Sequence, residues 1–350
     1  MGHCVSQQPV QLSFWELVGK HIVMTNHAST FDQHIPSGLV AEIAALSSRP
    51  VSEDFLVLVE ALKLRFGSSL EAVLLYGSCL RSHEIGDGVV DFYAIVNSYS
   101  RAYPERYLGY LNAWLAPNVF YLEVSPEENN QEKKFRAKYA VVSMADFAQG
   151  TRRWFHPYLW ARFAQPSRLL YARDETVRKY IYNALAHAVV TFLRSSLPML
   201  NAFVVDAEAI WINGLTQTYA AELRPERATR AQQLAQINLD DYTRLTEHAM
   251  PALAGMLEML PDGRYRCLTD VSDRRRARLR WRLRRWQGTV LSVLRLTKAA
   301  FTFSDSISYA AWKIERHTGV RVEVTPMLRR HPVLWGFKVS WQLLRRGVMR

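Results

Sequence analysis

The sequence predicts an α+β fold in which a small mixed sheet with helices precedes a helical region and a basic C-terminal region. Up to about residue 143, short apolar runs bounded by Gly, Ser and Asn alternate with segments of helical periodicity. From Met144 to about Leu260 the apolar spacing is helical almost throughout, and beyond it the charge becomes strongly positive. We therefore divide the chain into residues 1–143, 144–270 and 271–350.

Local patterns place the elements in chain order. Ser52 and Ser143 precede helical periodicity and are expected to be N-caps. The predicted strands are Ala72–Tyr76, Val89–Val96, Asn118–Val124, Lys138–Val142 and Val320–Val324. The predicted helices are Gly38–Leu46, Ser52–Phe66, Tyr107–Leu115, the basic segment Arg274–Trp286, Thr289–Ala311 and a last helix from Pro332, with a turn at Asp262-Gly263.

The positive charge is concentrated near the C-terminus. The chain of 350 residues has a net charge of +12, yet residues 271–350 carry 19 Lys and Arg against 4 Asp and Glu. Such asymmetry indicates a polyanionic partner, either nucleic acid or an anionic membrane surface. No uncharged apolar stretch reaches the ~18–20 residues that span a bilayer, and three scattered cysteines fit a reducing compartment.

The stretch LLYGSCLRSHEIGDGVVDFYAIV, residues 74–96, carries the chemistry. An apolar run ends at Tyr76, Gly77 and Ser78 follow, and a second run contains Asp91. This pattern resembles the polymerase-β-type nucleotidyltransferases, in which a Gly-Ser turn precedes a strand with Asp-x-Asp. Glycine lets backbone approach a phosphate, and carboxylates two apart on a strand share one face and bind Mg²⁺. Here Tyr93 stands in place of the second aspartate.

Another carboxylate would therefore have to complete the metal site. Glu123, on the next predicted strand, is the best local candidate, and it could equally be an exposed glutamate at a sheet edge. Glu84 and Asp87 fall in the hairpin, where solvated turn residues are expected.

Five motifs in the same order resemble the mitochondrial-type phosphatidate cytidylyltransferases, the CDP-diacylglycerol synthases also described as translocator assembly-and-maintenance proteins. The motifs span about residues 74–313. They are YGSC with VDFYAIV, KYAVVS (138–143), Trp154 with YLWARFAQP (158–166), TYAAELR (218–224) and RLTKAAFTFSDSISYAAWK (295–313). Several glycines of the family are replaced, namely by Cys79, Ala140, Ala221, Ala299 and Ser304. These changes could alter activity, base preference or the lipid substrate.

The resemblance implies transfer of a cytidylyl group from CTP to phosphatidate with Mg²⁺ as cofactor. It implies Asp91 as a catalytic metal ligand, Lys138 and Lys298 on phosphate oxygens, and Glu222 as a second metal ligand or a surface partner of Arg224. Nucleotide binding would fall to Tyr76, Gly77, Ser78, Arg162 and Arg224, the two arginines being equally suited to structural ion pairs.

A lipid substrate also accounts for the basic region. Leu279, Leu283 and Trp286 share one helical face among arginines, and the segment Pro332–Arg346 has a similar pattern. We expect a peripheral protein on the cytoplasmic side of an anionic membrane, or at the mitochondrial inner membrane in a eukaryote. The alternatives are core packing of these apolar faces, a nucleotidyltransferase that acts on RNA or another acceptor, and an inactive protein that binds lipid or nucleic acid.

Overall fold

A mixed five-stranded sheet lies at the centre of an α+β fold. The computed structural model describes residues 34–80, 88–125, 134–222 and 228–302. Its strands are β1 (Leu70–Tyr76), β2 (Val89–Val96), β3 (Asn118–Val124), β4 (Phe135–Ser143), β5 (Arg168–Ala172), β6 (Val204–Val205), β7 (Leu257–Met259) and β8 (Tyr265–Cys267). Its α-helices are α1 (Ser37–Ser47), α2 (Asp54–Phe66), α3 (Tyr99–Ala102), α4 (Arg106–Trp114), α5 (Met144–Arg152), α6 (Trp160–Phe163), α7 (Glu175–Ser196), α8 (Ala207–Ala220), α9 (Ala228–Ile237), α10 (Leu239–Ala249) and α11 (Val271–Thr302).

The main sheet has the strand order β3-β4-β2-β1-β5. Strands β2 and β4 are parallel, and the other neighbouring pairs are antiparallel. The first four predicted strands and the helices before residue 116 are confirmed within a few residues. The capping prediction holds for Ser143, whose Oγ accepts a hydrogen bond from the amide of Asp146 at 3.1 Å. It is wrong for Ser52, because Glu53 occupies the N-cap of α2.

The prediction that Met144–Leu260 is almost entirely helical is wrong in two places. Strand β5 joins the main sheet beside β1, and β6, β8 and β7 form a separate three-stranded sheet. Strands of two to five residues are too short for their alternation to be distinguished from helical spacing. The predicted helical segments Arg274–Trp286 and Thr289–Ala311 belong, as far as the structure describes them, to one helix, since α11 is continuous from Val271 to Thr302. The predicted strand Val320–Val324 and the helix from Pro332 lie outside the described residues.

Helices cover both faces of the main sheet. On one face, Phe66 of α2 packs against Tyr139 with ring centroids 6.0 Å apart. On the other face, Phe163 of α6 packs against Tyr93 at 4.9 Å. Side chains alternate along a strand, so Asp91 and Tyr93 lie on this second face, towards the helical part of the chain.

The long helix α11 connects the helical part to the sheet. Near its start, the indole of Trp281 donates a hydrogen bond to the carbonyl of Ser195 at 3.0 Å. Near its end, the ammonium of Lys298 donates to the carbonyls of Leu115 and Pro117, just before β3. The helix therefore braces both parts of the molecule against each other.

Candidate active site

The Gly-Ser turn lies directly against Asp91. Strand β1 ends at Tyr76, whose register partner on β2 is Asp91. Gly77 follows with φ of +87°, a backbone conformation that favours glycine. A Cβ atom at this position would lie 3.3 Å from Oδ2 of Asp91. The turn therefore brings backbone and carboxylate together, as the sequence motif predicts.

The same row of the sheet continues to Lys138, the register partner of Asp91 on the parallel strand β4. These residues open into one cavity of about 750 Å³. Of the site residues predicted from sequence, seven line it, namely Tyr76, Gly77, Ser78, Asp91, Lys138, Arg162 and Glu222. Residues from four separate motifs thus meet in a single space.

Arg162 extends from α6 to the second residue of the incomplete Asp-x-Asp pattern. Its Nη1 donates a hydrogen bond to the hydroxyl of Tyr93 at 2.8 Å. Tyr93 is completely buried, and burial raises its pKa well above the usual value, so the phenol remains protonated. Tyr93 therefore supplies a neutral oxygen that binds the guanidinium of Arg162, whereas a carboxylate at position 93 would bind a metal ion.

Further charged and aromatic groups surround Arg162. Its guanidinium lies 4.4 Å from the ring centroid of Tyr158, and Nη2 is 4.0 Å from Oε2 of Glu222. Arg295 of α11 stacks on Tyr158 at 3.9 Å. Burial alone would raise the pKa of Tyr158, but the two guanidiniums outweigh it and lower that pKa.

Nearby, burial and then Arg295 lower the pKa of His156 to about 3. This imidazole is therefore uncharged at neutral pH and adds no positive charge to the site.

The other end of the cavity contains a positive cluster that the sequence did not predict. Arg49 donates to both carboxylate oxygens of Asp241, at 2.9 and 2.7 Å. Arg168 and Arg230 line the same cavity. Burial, and then the charge of Arg49, lower the pKa of Arg168. Arg244 also donates to Asp241, so two arginines bind this carboxylate directly while Arg168 and Arg230 line the cavity beside it. No local pattern indicates the cluster, because Arg49, Arg168 and Asp241 are far apart in sequence.

Three residues predicted for the site are placed elsewhere or not described. Glu123 is not among the cavity residues, and its carboxylate binds Lys134 at 2.8 Å and Arg136 at 3.1 Å, which satisfy it at the edge strand. Lys298 is buried against two backbone carbonyls rather than lining the cavity, so its placement indicates a structural role. Arg224 lies outside the described residues.

Within the described ranges, no three His, Cys, Asp or Glu side chains are grouped so that they could hold a metal ion. Around the Gly77-Ser78 turn, the oxygen ligands that line the cavity include the carboxylates of Asp91 and Glu222 and the hydroxyl of Ser78, whereas the carboxylate of Asp241 in the same cavity is bound by Arg49. Mg²⁺ is commonly held by one or two carboxylates together with substrate phosphates and water. The residues present therefore fit Mg²⁺ that binds together with a nucleotide, whereas they do not form a cage made of protein alone.

Helix α11 exposes a second apolar stripe on the face opposite its packed side. The packed side contains Ala277, Trp281, Gly288 and Leu291. The exposed stripe consists of Leu279, Leu283, Trp286, Val290 and Val293, and Trp286 is 70% exposed. Arginines flank the stripe at positions 275, 276, 278, 280, 282 and 285, all of them exposed. The alternative of core packing therefore does not apply to Leu279, Leu283 and Trp286, whereas the second segment considered, Pro332–Arg346, lies outside the described residues.

In the part of the chain that the structure describes, no helix combines the length and the apolar character needed to cross a membrane.

No protein-family model matches this chain, and no curated protein matches it significantly.

Proposed function

We propose that this protein transfers a cytidylyl group from CTP to phosphatidate, giving CDP-diacylglycerol and pyrophosphate. We place the reaction at the surface of an anionic membrane, with the protein peripheral on its cytoplasmic side. The observation that carries the proposal is the single cavity in which the Gly77-Ser78 turn meets Asp91, Lys138 and Arg162. A phosphate-binding turn, a carboxylate and two cations are what a nucleotidyl transfer requires.

The roles follow from the chemistry of the side chains. The backbone at Gly77 and the hydroxyl of Ser78 bind the β- and γ-phosphates, and Lys138 and Arg162 neutralise charge at the α-phosphate. A lipid phosphate oxygen attacks the α-phosphorus while the bond from that phosphorus to pyrophosphate breaks. The attacking oxygen is already anionic near neutral pH, so positioning and charge neutralisation are sufficient without a strong general base.

Magnesium fits this cavity through Asp91, and Glu222 is a second carboxylate that lines the same cavity. When bound, Mg²⁺ neutralises the triphosphate and the developing charge on pyrophosphate. Asp91 orients the bound nucleotide from β2, and Gly77 keeps the space beside that carboxylate open.

An amphipathic anion suits the arginine end of the cavity. Arg49, Arg168 and Arg230 provide more positive charge than Asp241 neutralises, so this end attracts a phosphate. Its walls also contain apolar side chains, those of Pro50, Val51, Phe55, Leu234 and Ile237. A phosphate joined to an acyl chain combines these two properties.

A turnover assay tests the proposal. Purified protein is incubated with Mg²⁺, each labelled triphosphate in turn, and phosphatidate or diacylglycerol in mixed micelles. We expect labelled CDP-diacylglycerol only from CTP with phosphatidate, and none from Asp91→Asn. Asp240→Asn, an exposed aspartate outside the cavity, is the matched control and should retain activity. If no triphosphate yields product with either lipid, the proposed enzyme activity is wrong.

The exposed stripe of α11 supports the membrane part of the proposal, because apolar side chains flanked by arginines suit an anionic interface. Replacing Leu283 and Trp286 together by Ser should weaken sedimentation with anionic liposomes at least ~100-fold, since two side chains at ~1.5 kcal/mol or more each contribute at least ~3 kcal/mol. Leu64→Ser, on the exposed side of α2, should leave binding unchanged. Retention on RNA at physiological salt with no liposome binding would instead favour an RNA substrate.

A further inference from the structure

Tyr93, which is hydrogen-bonded to Arg162, occupies the position of the second aspartate in an Asp-x-Asp metal site. Asp91 and Tyr93 are two residues apart on β2, so both side chains lie on the cavity side of the sheet. Tyr93 is neutral and wholly buried, which makes it a poor ligand for a divalent cation. Its hydroxyl instead accepts the 2.8 Å hydrogen bond from Arg162.

Arg162 is held in place from several sides. Three tyrosine rings surround its guanidinium, with centroids at 4.4 Å for Tyr158, 5.4 Å for Tyr76 and 5.9 Å for Tyr93. Only 12% of the Arg162 side chain is exposed, and that side chain lines the cavity together with Asp91. The result is a fixed cation beside the Gly-Ser turn, and Tyr93 acts as the residue that positions it.

The nearby carboxylate only partly neutralises this cation. Oε2 of Glu222 is 4.0 Å from Nη2 of Arg162, beyond hydrogen-bonding distance. Arg295 adds a second guanidinium, 3.9 Å from the ring centroid of Tyr158. The region around Tyr93 is thus positive before any substrate binds, and this charge disfavours a second divalent cation there.

Building on the proposed function, we propose that the guanidinium of Arg162, fixed by Tyr93, takes the place of a second metal ion at the transferring phosphate. One divalent cation would enter with the nucleotide at Asp91. Arg162 would supply the other positive charge through two parallel N–H donors, a geometry that matches phosphate oxygens.

Counting bound metal ions tests this inference without measuring turnover. The full chain is titrated with Mn²⁺ in the presence of an α,β-methylene analogue of CTP, and bound Mn²⁺ is counted by electron paramagnetic resonance. We expect one Mn²⁺ per chain, lost in Asp91→Asn. Two Mn²⁺ ions per chain would overturn the inference. No binding of the analogue with or without Mn²⁺ would instead contradict the proposed function itself.

Variants distinguish an Arg162 that acts on the substrate phosphate from an Arg162 with only a structural role. Arg162→Ala should lower kcat ~10³-fold or more, the scale known for arginines that stabilise phosphoryl transfer, with one Mn²⁺ still bound. Added methylguanidine should restore part of that kcat, because it returns a guanidinium to the vacated space. Tyr93→Phe should lower kcat with little change in the KM for CTP.

Circular dichroism confirms that each variant is folded. A folded Arg162→Ala protein with unchanged kcat would overturn the inference. A second set of results would also overturn it, namely that methylguanidine does not restore the kcat of Arg162→Ala while Arg162→Lys is fully active.

Discussion

Gly288 lies where α11 packs directly against the backbone of Ala221. Its replacement by alanine sets a gain in helix propensity against a steric overlap. A Cβ atom at position 288 would overlap the carbonyl oxygen of Ala221 and lie 2.8 Å from Nε2 of His156. Ala221 immediately precedes Glu222, which lines the cavity. The helix can therefore accept the methyl group only by moving away from the site.

Helix propensity and steric overlap change the free energy of unfolding in opposite directions. In an exposed helix interior, Gly→Ala stabilises by ~1 kcal/mol through helix propensity. Here the colliding atoms belong to backbone and to a buried imidazole, so α11 must retreat by about 1 Å, and overpacking of this kind costs ~1–3 kcal/mol or more. Because the collision involves backbone, its cost falls in the upper part of this range, about 2–3 kcal/mol. After subtraction of the ~1 kcal/mol gained in helix propensity, we expect Gly288→Ala to be destabilised by ~1–2 kcal/mol.

Urea unfolding followed by circular dichroism measures this change. Thr289→Ala is the matched control, because the neighbouring side chain is exposed and its hydroxyl bonds only within the helix. The control should change stability by less than ~0.5 kcal/mol. A Gly288→Ala protein as stable as wild type, or more stable, would refute the close packing of α11 against Ala221.

Three further changes follow from individual contacts. Burial, and then Arg295, lower the pKa of Lys298 to about 7, below its unfolded value of 10.5. Below pH 7 the charged ammonium destabilises the folded state to its full extent. From pH 7 to 10 the free energy of unfolding of wild type, measured by urea titration relative to Lys298→Met, should rise by up to ~1.4 kcal/mol per pH unit. A difference that stays constant with pH would contradict this. Gly77→Ala and Gly263→Ala should each cost ~1–2 kcal/mol because both positions have positive φ. Only Gly77→Ala should also weaken nucleotide-dependent Mn²⁺ binding, since it alone crowds Asp91, and equal binding by both variants would argue against this contact. Asp241→Asn should lose ~1–3 kcal/mol in the same urea assay, because two arginines bind its charged oxygens, and an unchanged midpoint would show that these ion pairs contribute little.

The parts of the fold that sequence predicted best have strong local signals. Strands β2 and β3 were predicted with their observed bounds because alternating or continuous apolar runs end at Gly, Asn or Ser. Strand β5 was missed because its five residues resemble a helical segment, and only pairing with β1 makes them a strand. Local pattern therefore predicts the centre of the sheet and fails at its edge.

The contacts in the candidate site are likewise of two kinds, local ones that the sequence predicted and long-range ones that it did not. Gly77, Ser78 and Asp91 belong to one stretch of sequence, and their closeness follows from a turn and an antiparallel register. The hydrogen bond between Tyr93 and Arg162 joins residues 69 positions apart, and the ion pair between Arg49 and Asp241 joins residues 192 apart. Tertiary packing alone decides such contacts, so spacing within a motif cannot reveal them.

Helix α11 shows a different limit of sequence analysis. A period of 3.6 residues identifies apolar stripes, and this helix has two of them on opposite faces. In the stripe that contains Trp281, Gly288 allows the backbone of Ala221 to approach the helix closely. The stripe that contains Trp286 has larger side chains, and arginines flank it. Hydrophobic periodicity therefore identifies both stripes, and only the contacts made in the folded protein distinguish the buried stripe from the exposed one.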